Sequence, residues 1–183
     1  MLDARPLALP GLMEIYPSRS GDDRGFFSEV WNQARFADVG IDVPFVQDNV
    51  SVSRRKGVLR GLHFQTRPAA QAKLVRVARG AIFDVAVDIR RSSPNFGRWA
   101  GVVLSAEKWN QLYVPEGFAH GFVTLEDDTE VSYKVSALYS PEHDRSIRFD
   151  DPAIGIEWPV DGEPRLSAKD AAAPLLSDIE TGF

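Results

Sequence analysis

Three histidines and no cysteine set the chemical options of this 183-residue chain. Without thiols there can be no disulfide, no thiolate metal site and no cysteine nucleophile. The imidazoles His63, His120 and His143 sit in different company. His63 lies in Gly61-Leu62-His63-Phe64-Gln65, with Arg60 three residues before it, Gln47, Asp48 and Asn49 further upstream and Lys73 opening the next run. So many polar groups in segments that otherwise read as core are costly unless a ligand uses them. A neutral imidazole there can act as a base, although a histidine standing alone reads more readily as a hydrogen-bonded core residue. His120 follows a Pro-x-Gly turn in Pro115-Glu116-Gly117-Phe118-Ala119-His120, where a strand carboxylate such as Asp84 could hold it as a structural pair. His143 belongs to a charged loop, Pro141 to Arg145. Two interior imidazoles fall short of a metal site unless carboxylates complete the shell, so no metal is expected.

The segments that must position these groups alternate with a period of two. Ala81 to Arg90 puts Phe83, Val85, Val87 and Ile89 on one face and Ile82, Asp84, Ala86, Asp88 and Arg90 on the other, a strand with one face in a core. Lys73 to Ala78, Trp99 to Ser105, Asn110 to Val114, Gly117 to Leu125 and Thr129 to Tyr139 continue the series, with Arg79-Gly80 as a turn. One short helix is expected from Asn32 to Gly40, with a cap at each end. From Asp150 onward the tail is rich in Pro, Asp and Ala and reads as irregular, with a helical turn near Ser167 to Ala172. Short strands joined by scattered Gly and Pro predict one mainly β domain spanning residues 1–183, a jelly-roll barrel with short helices.

Composition closes off other classes. The hydrophobic fraction of 44% and charged fraction of 26% are those of a globular chain, which excludes wholesale disorder. A net charge of −5 argues against a protein devoted to DNA or RNA. No run is long and apolar enough for a membrane span, and the N-terminus carries no apolar signal region. A cytoplasmic setting fits the lack of cysteine.

The Pro-x-Gly-x-x-His turn resembles the second motif of the cupins, small β-barrels that often bind a metal. Here the first motif's His-x-His has become His63-x-Gln65. A closer resemblance is carried by several segments in order: Asp23 to Glu29, Gln47 to Ser51, Gly57 to Gln65, Lys73-Leu74-Val75 and Pro115 to Phe122. Tyr133-Lys134, Tyr139-Ser140-Pro141 and Leu166 to Asp170 complete the set. Together they resemble the dTDP-4-dehydrorhamnose 3,5-epimerase family from about Gly11 to Pro174.

That resemblance implies epimerisation at C3 and C5 of a dTDP-4-keto-6-deoxy sugar, in dTDP-L-rhamnose synthesis, with no cofactor. Both carbons are α to the C4 ketone, so one base, one acid and a stabilised enolate suffice. It implies His63 as the base, Asp170 as its carboxylate partner, Tyr133 as the acid on the opposite side of the ring and Lys73 as the cation at the oxyanion. It implies Arg60 and Arg24 at the diphosphate, and Phe27, Glu29, Gln47, Asn49, His120, Asp144 and Lys169 as further substrate contacts. A homodimer that exchanges the Arg24 to Glu29 strand follows as well. Asp144, Ser146 and Phe149 depart from the family's usual Glu, Gly and Trp. They keep open an epimerase acting on one carbon only, or on a related dTDP-4-keto sugar. Outside that chemistry stand a metal-dependent cupin oxygenase built on His63 and His120, and a binding module without catalysis.

Overall fold

Period-two alternation in the middle of the chain becomes two facing sheets. In the computed structural model, which describes residues 2–183, the N-terminal part runs through β1 (Asp3–Pro6), β2 (Met13–Tyr16), β3 (Ser20–Asp22), β4 (Gly25–Phe27), α1 (Gln33–Ala37) and β5 (Gln47–Ser53). Then come β6 (Leu59–Gln65), β7 (Lys73–Arg79), β8 (Ala81–Asp88), β9 (Trp99–Ser105) and β10 (Gln111–Val114). β11 (Phe118–Thr124), β12 (Thr129–Val135), β13 (Asp144–Ser146) and α2 (Ala168–Ala171) complete the order. One sheet has the order β1-β2-β10-β7-β12-β5 and the other β13-β6-β11-β8-β9, while β3 and β4 pair only with each other. This is the mainly β jelly roll expected from the sequence.

Between the sheets, Val75, Val77, Leu112, Val114 and Val131 meet Ile82, Ala86, Leu104, Phe118 and Phe122. Burial of this apolar set is the main favourable term for the fold; exposed ion pairs such as Arg54–Asp128 add little beside it. Each sheet is also covered on its outside. Asn32 caps α1 by accepting the Arg35 N–H, and Gly40 turns the chain at φ +88°. Phe36 then packs with Trp31 and Phe45 over Ile15, Leu74 and Tyr113.

The outer face of the second sheet is covered by the C-terminal tail, where Ile154, Leu176 and the partly buried Trp158 and Phe183 pack on Leu62, Phe64, Val85, Val87 and Ile89. This corrects the expectation that β8 has one core face. Its wholly apolar face lies under the tail, and its mixed face, with Ile82, Asp84 and Ala86, points into the barrel. A tail poor in regular structure can do this because it binds through backbone, as in Arg148 N–H to Pro174 O, and through the Asp151 carboxylate, which accepts from Leu176 N–H at 2.7 Å.

β6 contains the irregularity that matters for function. His63 pairs with His120 and Arg60 with Phe122, so three steps on β6 match two on β11. This bulge puts Arg60 and His63 on one face, although their spacing alone would set them on opposite faces. Only glycine fits at its centre: Gly61 has φ +135°, and a Cβ there would lie 2.5 Å from Gly121 Cα. Gly61→Ala is expected to cost on the order of 3 kcal/mol, combining backbone strain with overpacking. Gly57→Ala meets no atom within 4 Å and carries only the strain of φ +79°, about 1 kcal/mol. Urea unfolding of both variants would check the difference.

Candidate active site

The polar end of the barrel holds a cavity of about 740 Å³, walled by both sheets and by the segment leading into α2. β6 contributes Arg60 and His63, β11 contributes His120, and β13 contributes Asp144. From the facing sheet come Gln47 and Asn49 of β5, Lys73 of β7 and Tyr133 of β12. The register explains this grouping: Asn49, Tyr133 and Val75 are paired neighbours, as are Gln47, Val135 and Lys73, so all project to one side.

His63 Nε2 lies 2.5 Å from Asp170 Oδ1. Ser167, the N-cap of α2, donates its hydroxyl to Asp170 Oδ2 at 2.9 Å and accepts the Asp170 N–H at 3.1 Å. Burial opposes ionisation of Asp170, but the hydrogen bond and charge of His63, the Ser167 hydroxyl and Lys169 together hold its carboxyl below the usual carboxylate range. An ionised carboxylate only accepts, so a neutral His63 gives it the Nε2 proton and keeps the Nδ1 lone pair for a base.

Lys73 is buried and donates to the backbone carbonyl of His63 at 3.1 Å. Burial pushes its ammonium down to about 8, with Asp84 and Asp144 opposing that fall and Lys169 adding to it. Burial pushes the Tyr133 phenol up, against the smaller pull of Arg60, which keeps it a proton donor at neutral pH. His120 is buried, with Nε2 2.6 Å from Asp84 Oδ1. Burial pushes the imidazole down, more than Asp84 lifts it. At the rim Lys169 Nζ meets Asp144 Oδ2 at 2.5 Å, and the Tyr139 hydroxyl donates to the same oxygen at 3.2 Å.

Ten of the thirteen residues singled out in the sequence therefore line one cavity. Arg24, Phe27 and Glu29 do not. Arg24 and Phe27 belong to a hairpin that pairs only with itself and packs through Phe26 on Trp109; Arg24 pairs with Asp22, Phe27 is 76% exposed and, beyond the hairpin, Glu29 pairs with Arg35. Within one chain they stand apart from the cavity, and the strand exchange that the resemblance implies is what would bring them to one. Gln47 also has work beyond a ligand, since its amide oxygen accepts from Tyr139 N–H and its nitrogen donates to Asn49.

Sequence reasoning missed Arg165, which lines the cavity and, like Arg60, has no carboxylate ion-pair partner among the described residues. Its signal was faint: it directly precedes the Leu166 to Asp170 segment. Gln65 also lines the cavity, where a cupin metal site would have its second imidazole; its amide donates to Ala69 O and Leu138 O and accepts from Ser140 N–H. Among the described residues no group of three or more His, Asp or Glu side chains could hold a metal ion.

Comparison with known proteins gives one consistent result. The sequence profile of the dTDP-4-dehydrorhamnose 3,5-epimerase family matches residues 6–178. A dTDP-4-dehydrorhamnose 3,5-epimerase from Salmonella typhimurium is 58% identical over 170 residues, 92% of each chain. The crystal structure of a dTDP-6-deoxy-D-glucose-3,5-epimerase from Legionella pneumophila, in complex with dTDP-4-keto-L-rhamnose, superposes with a TM-score of 0.94 at 46% identity. It covers 98% of this chain and 95% of its own. A 3′-monoepimerase from Streptomyces bikiniensis, in complex with dTDP-quinovose, superposes with a TM-score of 0.88 at 40% identity, over 94% of this chain and 87% of its own.

The His63–Asp170 pair has a consequence for stability that needs no substrate. A carboxyl held below its usual range adds stability in full above the ordinary aspartate value of about 4, and that stability is lost as pH falls through the lower folded-state value. Asp170→Asn should therefore cost about 2 kcal/mol at neutral pH. The gap to the unsubstituted protein should close in acid below pH ~4. Chemical denaturation at pH 7 and at pH 3 measures both.

Proposed function

The chain belongs to the dTDP-4-dehydrorhamnose 3,5-epimerase family, and on that premise we propose how its cavity converts dTDP-4-dehydro-6-deoxy-D-glucose to dTDP-4-dehydro-L-rhamnose. The observation that carries the reading is the opposition of two walls: His63 on one sheet with Asp170 of α2 bonded to it, Tyr133 on the other sheet, and Lys73 bonded to the backbone of His63. The C4 ketone acidifies C3–H and C5–H. His63 Nδ1 takes the proton, the C–H electron pair moves into the enolate, and the charge that gathers on O4 is met by the Lys73 ammonium. Tyr133 then delivers a proton to the same carbon from the opposite face, which inverts it.

Each inversion consumes one proton from the phenol and leaves one on the imidazole, so nothing is oxidised and no cofactor is called for. Asp170 stabilises the imidazolium that forms and fixes the ring that forms it. Arg60 and Arg165, cations without carboxylate partners in a concave site, suit the two phosphates of the nucleotide. Gln47, Asn49, His120, Asp144 and Lys169 supply the remaining polar contacts.

Arg24, Phe27 and Glu29 enter this reading through a second copy. In a homodimer that exchanges the Arg24 to Glu29 strand, they complete the partner's cavity, which accounts for an arginine and two phenylalanines standing exposed on one hairpin. A cytoplasmic location accords with the cysteine-free sequence; among the described residues no helix is long and apolar enough to cross a membrane.

The Streptomyces monoepimerase favours keeping one alternative, since a closely similar fold serves inversion of a single carbon. Incubation with dTDP-4-dehydro-6-deoxy-D-glucose in D2O separates the two. Deuterium should enter both C3 and C5, and His63→Ala should lower incorporation at both by at least about 10²-fold, the usual contribution of a positioned base. Deuterium at C3 alone selects the single-carbon enzyme, and none above the His63→Ala background removes the epimerase reading.

Subunit exchange has its own test. Arg24→Ala and His63→Ala chains should each be impaired alone, and refolding them together should restore about a quarter of full activity. Half of the random dimers then hold one intact cavity of two. No recovery on mixing would assign Arg24 to its own chain or to no cavity.

A further inference from the structure

Behind the cavity wall lies a carboxyl that the mechanism above leaves unused. Asp84 on β8 is fully buried and engages His120 Nε2 through Oδ1 alone. Its Oδ2 is buried too and meets no hydrogen-bond donor among the described residues. A carboxyl oxygen in that position is costly to keep, so its presence requires a compensating interaction.

The pairing of β8 with β11 turns Asp84 into the barrel interior, the side on which His120 and Phe122 also lie. Lys73 projects into the same interior from the facing sheet. An ammonium has three donors, and in the structure one of those of Lys73 has a protein acceptor, the His63 carbonyl. Asp84 and Asp144 favour its charge, with Asp84 the stronger, while burial and the Lys169 ammonium oppose it. Asp144 is already held by Lys169 and Tyr139, and Asp170 by His63 and Ser167. His120, across from Lys73, is itself tied to Asp84, and Tyr133 beside it on β12 is kept neutral by burial. Asp84 is thus the carboxyl in this interior with an oxygen to spare.

We propose that Asp84 is a positioning residue for Lys73: its buried carboxyl holds the lysine as an ammonium ion at the cavity wall. Asp84 does not line the cavity and touches no substrate; it acts through the charge of Lys73, which is what an enolate oxygen at C4 requires. The consequence for rate rests on the epimerase reading, but the protonation state of Lys73 can be followed without any substrate.

The chain has five lysines, so protein labelled with ¹³C at the lysine ε carbon gives few signals, and Lys73→Arg assigns the one of interest. In ligand-free protein, Asp84→Asn should move the Lys73 titration down by about one pH unit or more. The alkaline limb of the epimerisation rate should move with it, with kcat falling at pH 8 and KM little changed. His120→Asn breaks the same hydrogen bond but leaves the carboxyl in place, so it should not move Lys73 downward. In a Lys73→Arg background, whose guanidinium stays charged, Asp84→Asn should leave the position of the alkaline limb unaltered.

An unchanged Lys73 titration in Asp84→Asn would overturn the proposal, and so would an equal downward shift in His120→Asn. If Asp84→Asn does not fold, the smaller uncharged Asp84→Ser takes its place, and an unshifted Lys73 titration there overturns the proposal in the same way. Because the titration is read in the free protein, a failure of the epimerase reading would leave this result standing.

Discussion

One hydrogen bond, between His63 on β6 and Asp170 at the far end of the chain, organises much of this structure. For that contact to exist, the C-terminal tail must leave β13, lay its apolar side chains over the outer face of a sheet and return to the barrel mouth. The burial of Ile154 and Leu176 anchors that path, and Ser167 fixes the last turn by capping α2 and orienting the carboxylate. Packing on one side of a sheet is thereby converted into the tautomer of an imidazole on the other.

The interior is divided along its length. At one end Val75, Val77, Leu112 and Phe118 fill the space between the sheets as an ordinary core. At the other, the same strands present Lys73, Tyr133, His120 and Arg60 to a cavity. Alternation makes this economical: Val75 and Lys73 are two residues apart on one strand face, so a single substitution type along the strand turns core into site. The cost is desolvation, visible in the lowered Lys73 ammonium and the raised Tyr133 phenol. Those same shifts give a buried acid and a buried cation their chemical use.

Much of this was legible in the sequence where the signal was local. Strand alternation gave the jelly roll, and the Asn32 and Gly40 caps gave α1. His63 stood out as a candidate base because a barrel strand has few reasons to hold a histidine, an arginine and a nearby lysine. What could not be read was non-local. Nothing in Ala81 to Arg90 says that its most apolar face is covered by a tail beginning about sixty-five residues later, so only one core face was expected of β8 where two are buried. Arg60 and His63 could be placed on one face only once the bulge at Gly61 was seen against Gly121. The assignments of Arg24, Phe27 and Glu29 came from the family resemblance, whose implied strand exchange is a property of two chains that the periodicity of one chain does not carry. Arg165 lay in an irregular segment where period carries no information.

The route of the tail also makes catalytic competence a property of finished chains. Every barrel strand precedes Asp170, so the sheets are specified before the segment that closes the cavity and carries that carboxylate has been made. A chain clipped after β13 would lose the cover on Leu62, Phe64, Val85, Val87 and Ile89 together with Arg165 and Asp170, so the packing of a sheet and the shape of the site would fail as one. Partial chains are thereby denied a half-built pocket that would hold ligand without acting on it, because the stretch that buries the sheet is also the stretch that completes the site.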